Sequence, residues 1–227
     1  MCGIFGANKR EQFITLLELN KQRGTFATSV SCLLSNGDLV VHKWGGNTTV
    51  KIIENYLKAE EGVNFYLGHT QAPTSAERDY SKQHAHPFNT GHYTVAHNGV
   101  LTNFKELKEH FKPGGKRWLN PVDSSILPVV FCLTEEANEG KISSTHSLAQ
   151  SLSLIEGTFG LWIYNSGTRE IYVARNGSTV YANIYTNEFS SVKFKGSEPL
   201  QEGVLYQVTP EGLTSVAGFD HDSPFFT

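Results

Sequence analysis

The sequence has few of the features that mark membrane, secreted or nucleic-acid-binding proteins. Its 227 residues include three cysteines, an odd number that does not form a disulfide framework. No apolar run approaches the ~18 residues of a membrane span, and we see no charged-then-apolar signal segment at the start. The net charge of −3 gives no reason to expect nucleic acid or an anionic membrane as a partner. We therefore expect a cytoplasmic protein with reduced thiols.

Internal repeats, low-complexity segments and linkers are also missing from the sequence. Hydrophobic residues make up 39% of the chain, enough for a substantial core, and the length fits one large domain or two small ones. We predict one domain over residues 1–227. Eleven per cent aromatic residues and 21 glycines favour a sheet-rich fold.

Hydrophobic periodicity predicts where the helices and strands lie. Helices are predicted over residues 11–22, 50–57, 104–111, 124–137 and 146–155. Strands are predicted over residues 3–7, 26–34, 38–44, 65–70, 93–97, 158–164, 170–174, 178–185, 189–194, 204–208 and 213–216. Three local signals accompany them: a hairpin turn at Asn36-Gly37, a helix cap at Thr48 or Thr49, and capping-box spacing between Asn103 and Glu106. Strands at both ends with helices between them favour an α+β fold of antiparallel sheets with helices packed outside.

The most informative stretch is Met1–Ala7, a glycine-spaced apolar strand that begins with a nucleophilic side chain. Aminopeptidases remove a starting methionine readily when the next residue is small, so we expect Cys2 to be the mature N-terminus. Its α-amine, with a pKa near ~7.7–8.0 in model compounds, is then partly a free base at neutral pH. A thiol that carries its own base is the device of an N-terminal nucleophile hydrolase. On its own this stretch is ambiguous, because most cysteines near a terminus have no catalytic role.

Six later stretches follow Met1–Ala7 along the chain: Gly68-His69-Thr70, His86-Pro87-Phe88, His97-Asn98-Gly99, Val122-Asp123-Ser124, Glu156–Gly160 and Val173–Gly177. Taken in this order, these stretches and Met1–Ala7 resemble class II glutamine amidotransferases. The resemblance covers nearly the whole chain. It implies a four-layer αββα sandwich of the N-terminal nucleophile hydrolase type, no cofactor, and glutamine as substrate.

The resemblance also implies roles for single residues. Cys2 would attack the glutamine side-chain amide, and the Asn98 amide with the Gly99 backbone N–H would bind the oxyanion. Arg23 would support the N-terminus. The residues implied for substrate binding are Gln71, Thr74, His86 and Asp123, the last of them for the α-ammonium. In this family the glutaminase is usually fused to a synthase, and we expect this chain to give ammonia to a separate synthase subunit.

Two positions depart from the family pattern. Gln71 occupies the place of an arginine that pairs with the substrate α-carboxylate, and an amide cannot form the charged bidentate fork of arginine. Arg78, in the same long loop, is a candidate replacement. The apolar Phe26 stands near the place of a family aspartate. These changes put glutamine affinity, and even the identity of the substrate, in question.

Other interpretations stay open. A different N-terminal nucleophile amidase, acting on another γ-glutamyl or linear amide, is the rival enzyme, and a catalytically silent glutamine-binding subunit is the rival from another class. We predict no metal site, because no Cys-x-x-Cys or His-Glu-x-x-His pattern accompanies the histidines at positions 84, 86, 92 and 97. Cys32 and Cys132, in apolar segments, are predicted to be core thiols.

Overall fold

The computed structural model describes residues 1–46, 48–72, 81–112, 120–138 and 141–221. Two antiparallel sheets face each other in the middle of the structure, and helices cover their outer faces. Thr74 and Arg78, both named above, lie outside the described residues. Within the described ranges, no helix has the length and apolar character needed to cross a membrane.

The first sheet contains seven strands in the order β11-β9-β10-β1-β4-β2-β3. The strands are β1 (Gly3–Ala7), β2 (Ala27–Leu34), β3 (Leu39–Gly45), β4 (Val63–Gln71), β9 (Tyr181–Asn183), β10 (Glu188–Ser190) and β11 (Glu198–Pro199). Strand β1 lies between β10 and β4, where Phe5 is opposite Ser190 on one side and Gly68 on the other. The N-terminal strand is therefore an interior strand of this sheet.

The second sheet contains six strands in the order β13-β12-β8-β7-β6-β5. The strands are β5 (Phe88–Thr90), β6 (Tyr93–Leu101), β7 (Gly157–Asn165), β8 (Glu170–Asn176), β12 (Val204–Thr209) and β13 (Gly212–Gly218). Each strand pairs antiparallel with its neighbour, so β6 is held between β5 and β7.

The helices lie on the outer faces. Helices α1 (Arg10–Lys21) and α2 (Val50–Ala59) share a buried core with the first sheet. On the second sheet lie α3 (Phe104–His110), a 3-10 turn (Asp123–Ile126), α4 (Leu127–Ala137) and α5 (Ser144–Leu152). The hydroxyl of Thr49 caps α2 by accepting a hydrogen bond from the backbone N–H of Ile52.

A third apolar core fills the space between the two sheets. Its largest fully buried side chains are Trp162, Tyr164 and Phe189. The indole N–H of Trp162, on β7, donates to the backbone oxygen of Gly68, on β4, at 3.1 Å, so this contact joins the two sheets. Helix, sheet, sheet and helix thus form a four-layer αββα sandwich, which confirms the α+β prediction.

Three local predictions were wrong. Strand β6 does not end at His97 but continues through Asn98 and Gly99 to Leu101, because β7 pairs with it over this whole length. The capping box at Asn103 is absent: its side chain instead donates to the oxygen of Leu154 and accepts from the N–H of Glu156. The strands predicted over 178–185 and 189–194 are the shorter β9 and β10.

Candidate active site

Cys2 lies directly before β1 and is half-buried. The pairing of Gly3 with Thr70 holds the strand in register as far as its first residue. Nε of Arg23 donates to the carbonyl oxygen of Cys2 at 2.7 Å, and Nη1 of the same side chain donates to the carbonyl oxygen of Ser191 at 3.3 Å. Arg23 therefore joins the residue before β1 to Ser191 through two hydrogen bonds.

Arg23 is partly withdrawn from water beside the cysteine. Burial lowers the pKa of its guanidinium, while the negative charge of a Cys2 thiolate acts in the opposite direction and raises it. A cation close to a cysteine favours the thiolate, which is the nucleophilic form of the thiol. The charge pair is thus suited to nucleophilic chemistry at Cys2.

The expected oxyanion donors, Asn98 and Gly99, are neighbours on β6. Nδ2 of Asn98 donates one hydrogen bond to Oγ of Ser191 at 3.2 Å. Gly99 has a φ of +150°, and a Cβ placed on it would lie 2.0 Å from the backbone oxygen of Thr158 on β7. Only glycine permits this close approach of the two strands.

One cavity of about 410 Å³ brings four of the expected residues together. Its lining includes Cys2, Arg23, Asn98 and Gly99. Met1 also lines it, and its side chain is 83% exposed. The remaining described lining residues are Ala72, Val100, Thr158, Gly177, Ser178 and Thr179. The residues expected to be the nucleophile, its supporting arginine and the two oxyanion donors therefore line one cavity.

Gln71 and His86 are outside the described lining of this cavity. Gln71, at the end of β4, is 1% exposed, and its amide nitrogen donates to the oxygen of His84 at 3.2 Å. The His86 ring is also buried and lies against the ring of His69, with centroids 4.1 Å apart. Both side chains therefore make contacts within the protein in this structure. Thr74 lies outside the described residues.

The Asp123 carboxylate lies beside β6, on the side of the 3-10 turn. One oxygen accepts from the backbone N–H of Leu101 at 3.2 Å, and the other accepts from the N–H and the hydroxyl of Ser124 at 2.8 and 3.0 Å. A carboxylate has about four lone-pair sites, so three hydrogen bonds leave capacity for one more donor. Asp123 is likewise outside the described cavity lining.

Two buried histidines adjoin the site and were not assigned roles from the sequence. Nε2 of His69 donates to the backbone oxygen of His97 at 2.9 Å, since a carbonyl only accepts. Burial lowers the pKa of His69 to about 3, and burial also lowers that of His97 although Asp123 opposes the shift. The His69 ring is therefore neutral at pH 7, and its hydrogen bond holds the strand that carries Asn98.

The remaining cysteines and histidines do not form a second centre. Cys32 and Cys132 are both buried, as predicted; burial raises the pKa of Cys32 to about 12. The Cys132 thiol donates to the oxygen of Thr90 at 3.1 Å. Among the residues that the structure describes, no three His, Cys, Asp or Glu side chains cluster as metal ligands.

Comparison with known proteins identifies the family of the chain. A family model described as a glutamine amidotransferase domain matches residues 74–199. The glutamine–fructose-6-phosphate aminotransferase of Sulfurisphaera tokodaii is 27% identical over 182 residues, which are 77% of this chain and 30% of that protein. The Bacillus subtilis enzyme of the same name is 25% identical over 193 residues, 81% of this chain and 30% of its own length. The chain thus spans less than a third of these curated relatives.

Solved structures show the same fold. Glutamine phosphoribosylpyrophosphate amidotransferase from B. subtilis aligns with 95% of this chain and 49% of its own, at a TM-score of 0.67 and 21% identity. A glutamine aminotransferase class-II domain protein from Silicibacter pomeroyi aligns with 96% of this chain and 99% of its own, at a TM-score of 0.57 and 12% identity. With a family match over more than half of its length, the chain belongs to the glutamine amidotransferase domain family, and its fold is of the N-terminal nucleophile hydrolase type.

Proposed function

We propose that this chain hydrolyses the side-chain amide of glutamine, with Cys2 as the nucleophile. One observation carries the proposal: Cys2, Arg23, Asn98 and Gly99 line the same cavity. Reactive thiol, cation and two neutral N–H donors are the groups that amide cleavage through a covalent intermediate requires.

Removal of Met1 gives Cys2 a free α-amine, which takes the thiol proton as general base. The thiolate attacks the amide carbon of glutamine, and the carbonyl oxygen becomes an oxyanion bound by the Asn98 amide and the Gly99 N–H. The intermediate collapses, the C–N bond breaks, and the α-ammonium returns its proton to the departing nitrogen, so that ammonia leaves. Water then attacks the γ-glutamyl thioester, which releases glutamate and restores the thiol.

We propose that Asp123 binds the α-ammonium of the substrate, because its carboxylate can accept one further hydrogen bond. Thr74 and His86 remain candidates for the rest of that end. Gln71, in contrast, is proposed to anchor the segment around His84 and not to bind substrate, because its side chain is buried and bonded there.

We propose further that the ammonia is passed to a separate synthase subunit. The names of the curated relatives couple glutamine to an acceptor sugar phosphate, and a glutaminase that supplies an acceptor needs a partner to consume its product. We do not assign the acceptor of those relatives to this chain. We also propose that residues 1–227 act as one domain, since the two sheets share the apolar core between them.

A second function has one observation in its favour. Gln71 stands where the family has an arginine for the α-carboxylate, and its amide is buried away from the described cavity lining. Of the rival substrates, a different γ-glutamyl or linear amide, only a linear amide that lacks an α-carboxylate would not need that arginine. A catalytically silent subunit is disfavoured, because the cavity keeps the nucleophile and both oxyanion donors.

The test measures glutamate and ammonia released from glutamine by Met1-processed protein. We expect release by the wild type and by Cys132→Ala, which removes a thiol remote from the cavity, and none by Cys2→Ala. If the wild type releases nothing, labelling of Cys2 by a glutamine-mimicking diazoketone separates the remaining cases. Labelling supports a glutamine pocket that needs its partner; absence of labelling overturns glutamine as the substrate and favours another amide.

A further inference from the structure

Ser191, directly after β10, is hydrogen-bonded to Ile4, Arg23 and Asn98, and it was not among the site residues expected from the sequence. It is 1% exposed. Its hydroxyl oxygen accepts from the backbone N–H of Ile4 at 3.0 Å and from Nδ2 of Asn98 at 3.2 Å. Its backbone N–H donates to the oxygen of Ile4 at 2.8 Å. One residue thus joins the N-terminal strand to the expected oxyanion donor.

The backbone oxygen of Ser191 extends the same set of contacts. It accepts from Nη1 of Arg23 at 3.3 Å and from the hydroxyl of Thr179, in the cavity wall, at 2.9 Å. Arg23 in turn holds the carbonyl oxygen of Cys2. Cys2 lies directly before β1 of the first sheet, and Asn98 lies on β6 of the second. The Ser191 hydroxyl is hydrogen-bonded both to Ile4 on β1 and to Asn98.

The Asn98 side chain needs such an anchor. The torsion that turns its amide plane is soft, with broad wells instead of sharp staggered ones. An amide nitrogen carries two hydrogens. When one is held by the Ser191 hydroxyl, the plane is fixed and the second hydrogen has one direction. Oxyanion stabilisation depends on donors that are already aimed before the reaction begins.

We propose that Ser191 is a positioning residue for catalysis, whose hydroxyl orients the Asn98 amide as an oxyanion donor while it fixes that donor relative to the strand carrying Cys2. This inference rests on the proposed function. Ser191 does not touch the substrate, so the glutamine KM should depend on it little. Its loss should lower kcat towards the value of Asn98→Ala and no further.

The experiment is a double-mutant cycle between positions 191 and 98, with Ser190→Ala as the control. Ser190 is equally buried, and its hydroxyl also accepts two hydrogen bonds, from Nδ2 of Asn20 and from the N–H of Val192. Neither of these two donors is among the expected site residues. It therefore reports what the loss of a buried hydroxyl does to the sheet alone. Steady-state kinetics give kcat and KM, and crystals of Ser191→Ala give the position of the Asn98 amide.

We expect Ser191→Ala to lower kcat about 10-fold to 100-fold, which is less than the ~10²–10³-fold loss from removing an oxyanion donor, because the Asn98 amide is still present. The glutamine KM of Ser191→Ala should stay within about twofold of wild type, and so should the kcat of Ser190→Ala. In the Asn98→Ala background, Ser191→Ala should change kcat less than about twofold, because residues that act through one contact are not additive.

Independent, multiplicative effects of the two substitutions would overturn the inference, as would an equal loss of kcat in Ser190→Ala. An Asn98 amide that keeps its wild-type orientation in crystals of Ser191→Ala would also overturn it. If the wild-type protein released no ammonia, the proposed function would fail at that step. The crystals would then still decide whether Ser191 orients Asn98, so the two failures are distinguishable.

Discussion

Gln71 and His86 are joined by two hydrogen bonds: Oε1 of Gln71 accepts from the backbone N–H of His86 at 3.4 Å and from Nδ1 of its ring at 3.3 Å. Because a carbonyl oxygen only accepts, the His86 ring carries its proton on Nδ1. The buried side chain of Gln71 therefore holds the segment around His84 and His86.

The first prediction concerns the buried hydrogen bonds of the Gln71 side chain. Gln71→Ala removes an acceptor and a donor from buried partners, and an unsatisfied buried polar group costs about 1–3 kcal/mol. We expect the free energy of unfolding to fall by that amount in urea denaturation. Gln150→Ala, at an exposed position, is the control and should change it by less than about 0.5 kcal/mol. A large rise in the glutamine KM with unchanged stability would show instead that Gln71 binds substrate.

The second prediction follows from the close approach at Gly99. In Gly99→Ala the new methyl group meets the backbone oxygen of Thr158 at 2.0 Å, and backbone cannot move aside as a flexible side chain can. We expect a loss of stability of roughly 3 kcal/mol or more, from overpacking and backbone strain together. Gly218→Ala is the control, since the nearest atom to its Cβ is 3.8 Å away. Equal thermal midpoints for the two variants would contradict the geometry.

The third prediction is a pH dependence of stability. His69 has its ordinary pKa of 6.5 in the unfolded chain and about 3 in the folded protein, so between these values the unfolded state binds more protons. Stability is then unaffected above pH 6.5 and is lost as the pH falls below it, by about 1.4 kcal/mol per pH unit for one group. His69→Gln keeps an N–H donor for His97 and should make the decline shallower.

Urea denaturation at half-unit steps between pH 6.5 and pH 4 measures this slope. His146→Gln, at an exposed histidine, should leave it unchanged. The wild-type slope also includes His97, whose pKa is lowered by burial, and the carboxylates, so only the difference between the wild type and His69→Gln reports His69. Identical slopes would contradict a neutral, buried His69.

The fourth prediction concerns Met1. While Met1 is present, the nitrogen of Cys2 is part of a peptide bond and cannot act as a base. The Met1 side chain also lines the cavity, and its sulfur lies 3.8 Å from Nη2 of Arg23. We expect protein that retains Met1 to release no ammonia from glutamine. Treatment with methionine aminopeptidase should restore activity in proportion to the shift in intact mass; full activity before that shift would refute the role of the α-amine.

The layers of the fold were predictable because they depend on local patterns. The alternation of apolar residues gave most strands, and the Asn36-Gly37 turn was recognised, with Gly37 at a φ of +90°. The extent of β6 was missed because Asn98-Gly99 has the composition of a turn. Only pairing with β7, which is distant in sequence, holds it extended.

The site was predictable only in part, for a related reason. Cys2, Asn98 and Gly99 belong to short motifs and were identified together. Ser191 belongs to no motif, and its importance comes from the meeting of β10 with β1 and β6 in space. The burial of Gln71 was equally invisible, because it depends on where the backbone around His84 and His86 lies. The residues next to a side chain in the sequence do not indicate which distant residues it contacts in the fold.

Strand β1 has an interior place between β4 and β10, and this sets an order of events during synthesis. The segment of β1 is translated well before that of β10, because strands β2 to β9 lie between them in the chain. Until then, one edge of β1 has no partner, and neither the Ser191 hydroxyl nor the cavity wall at Thr179 exists. The thiol of Cys2 is therefore present on the nascent chain long before the residues that would complete the site around it. We expect the ribosome-bound intermediate to have no glutaminase activity.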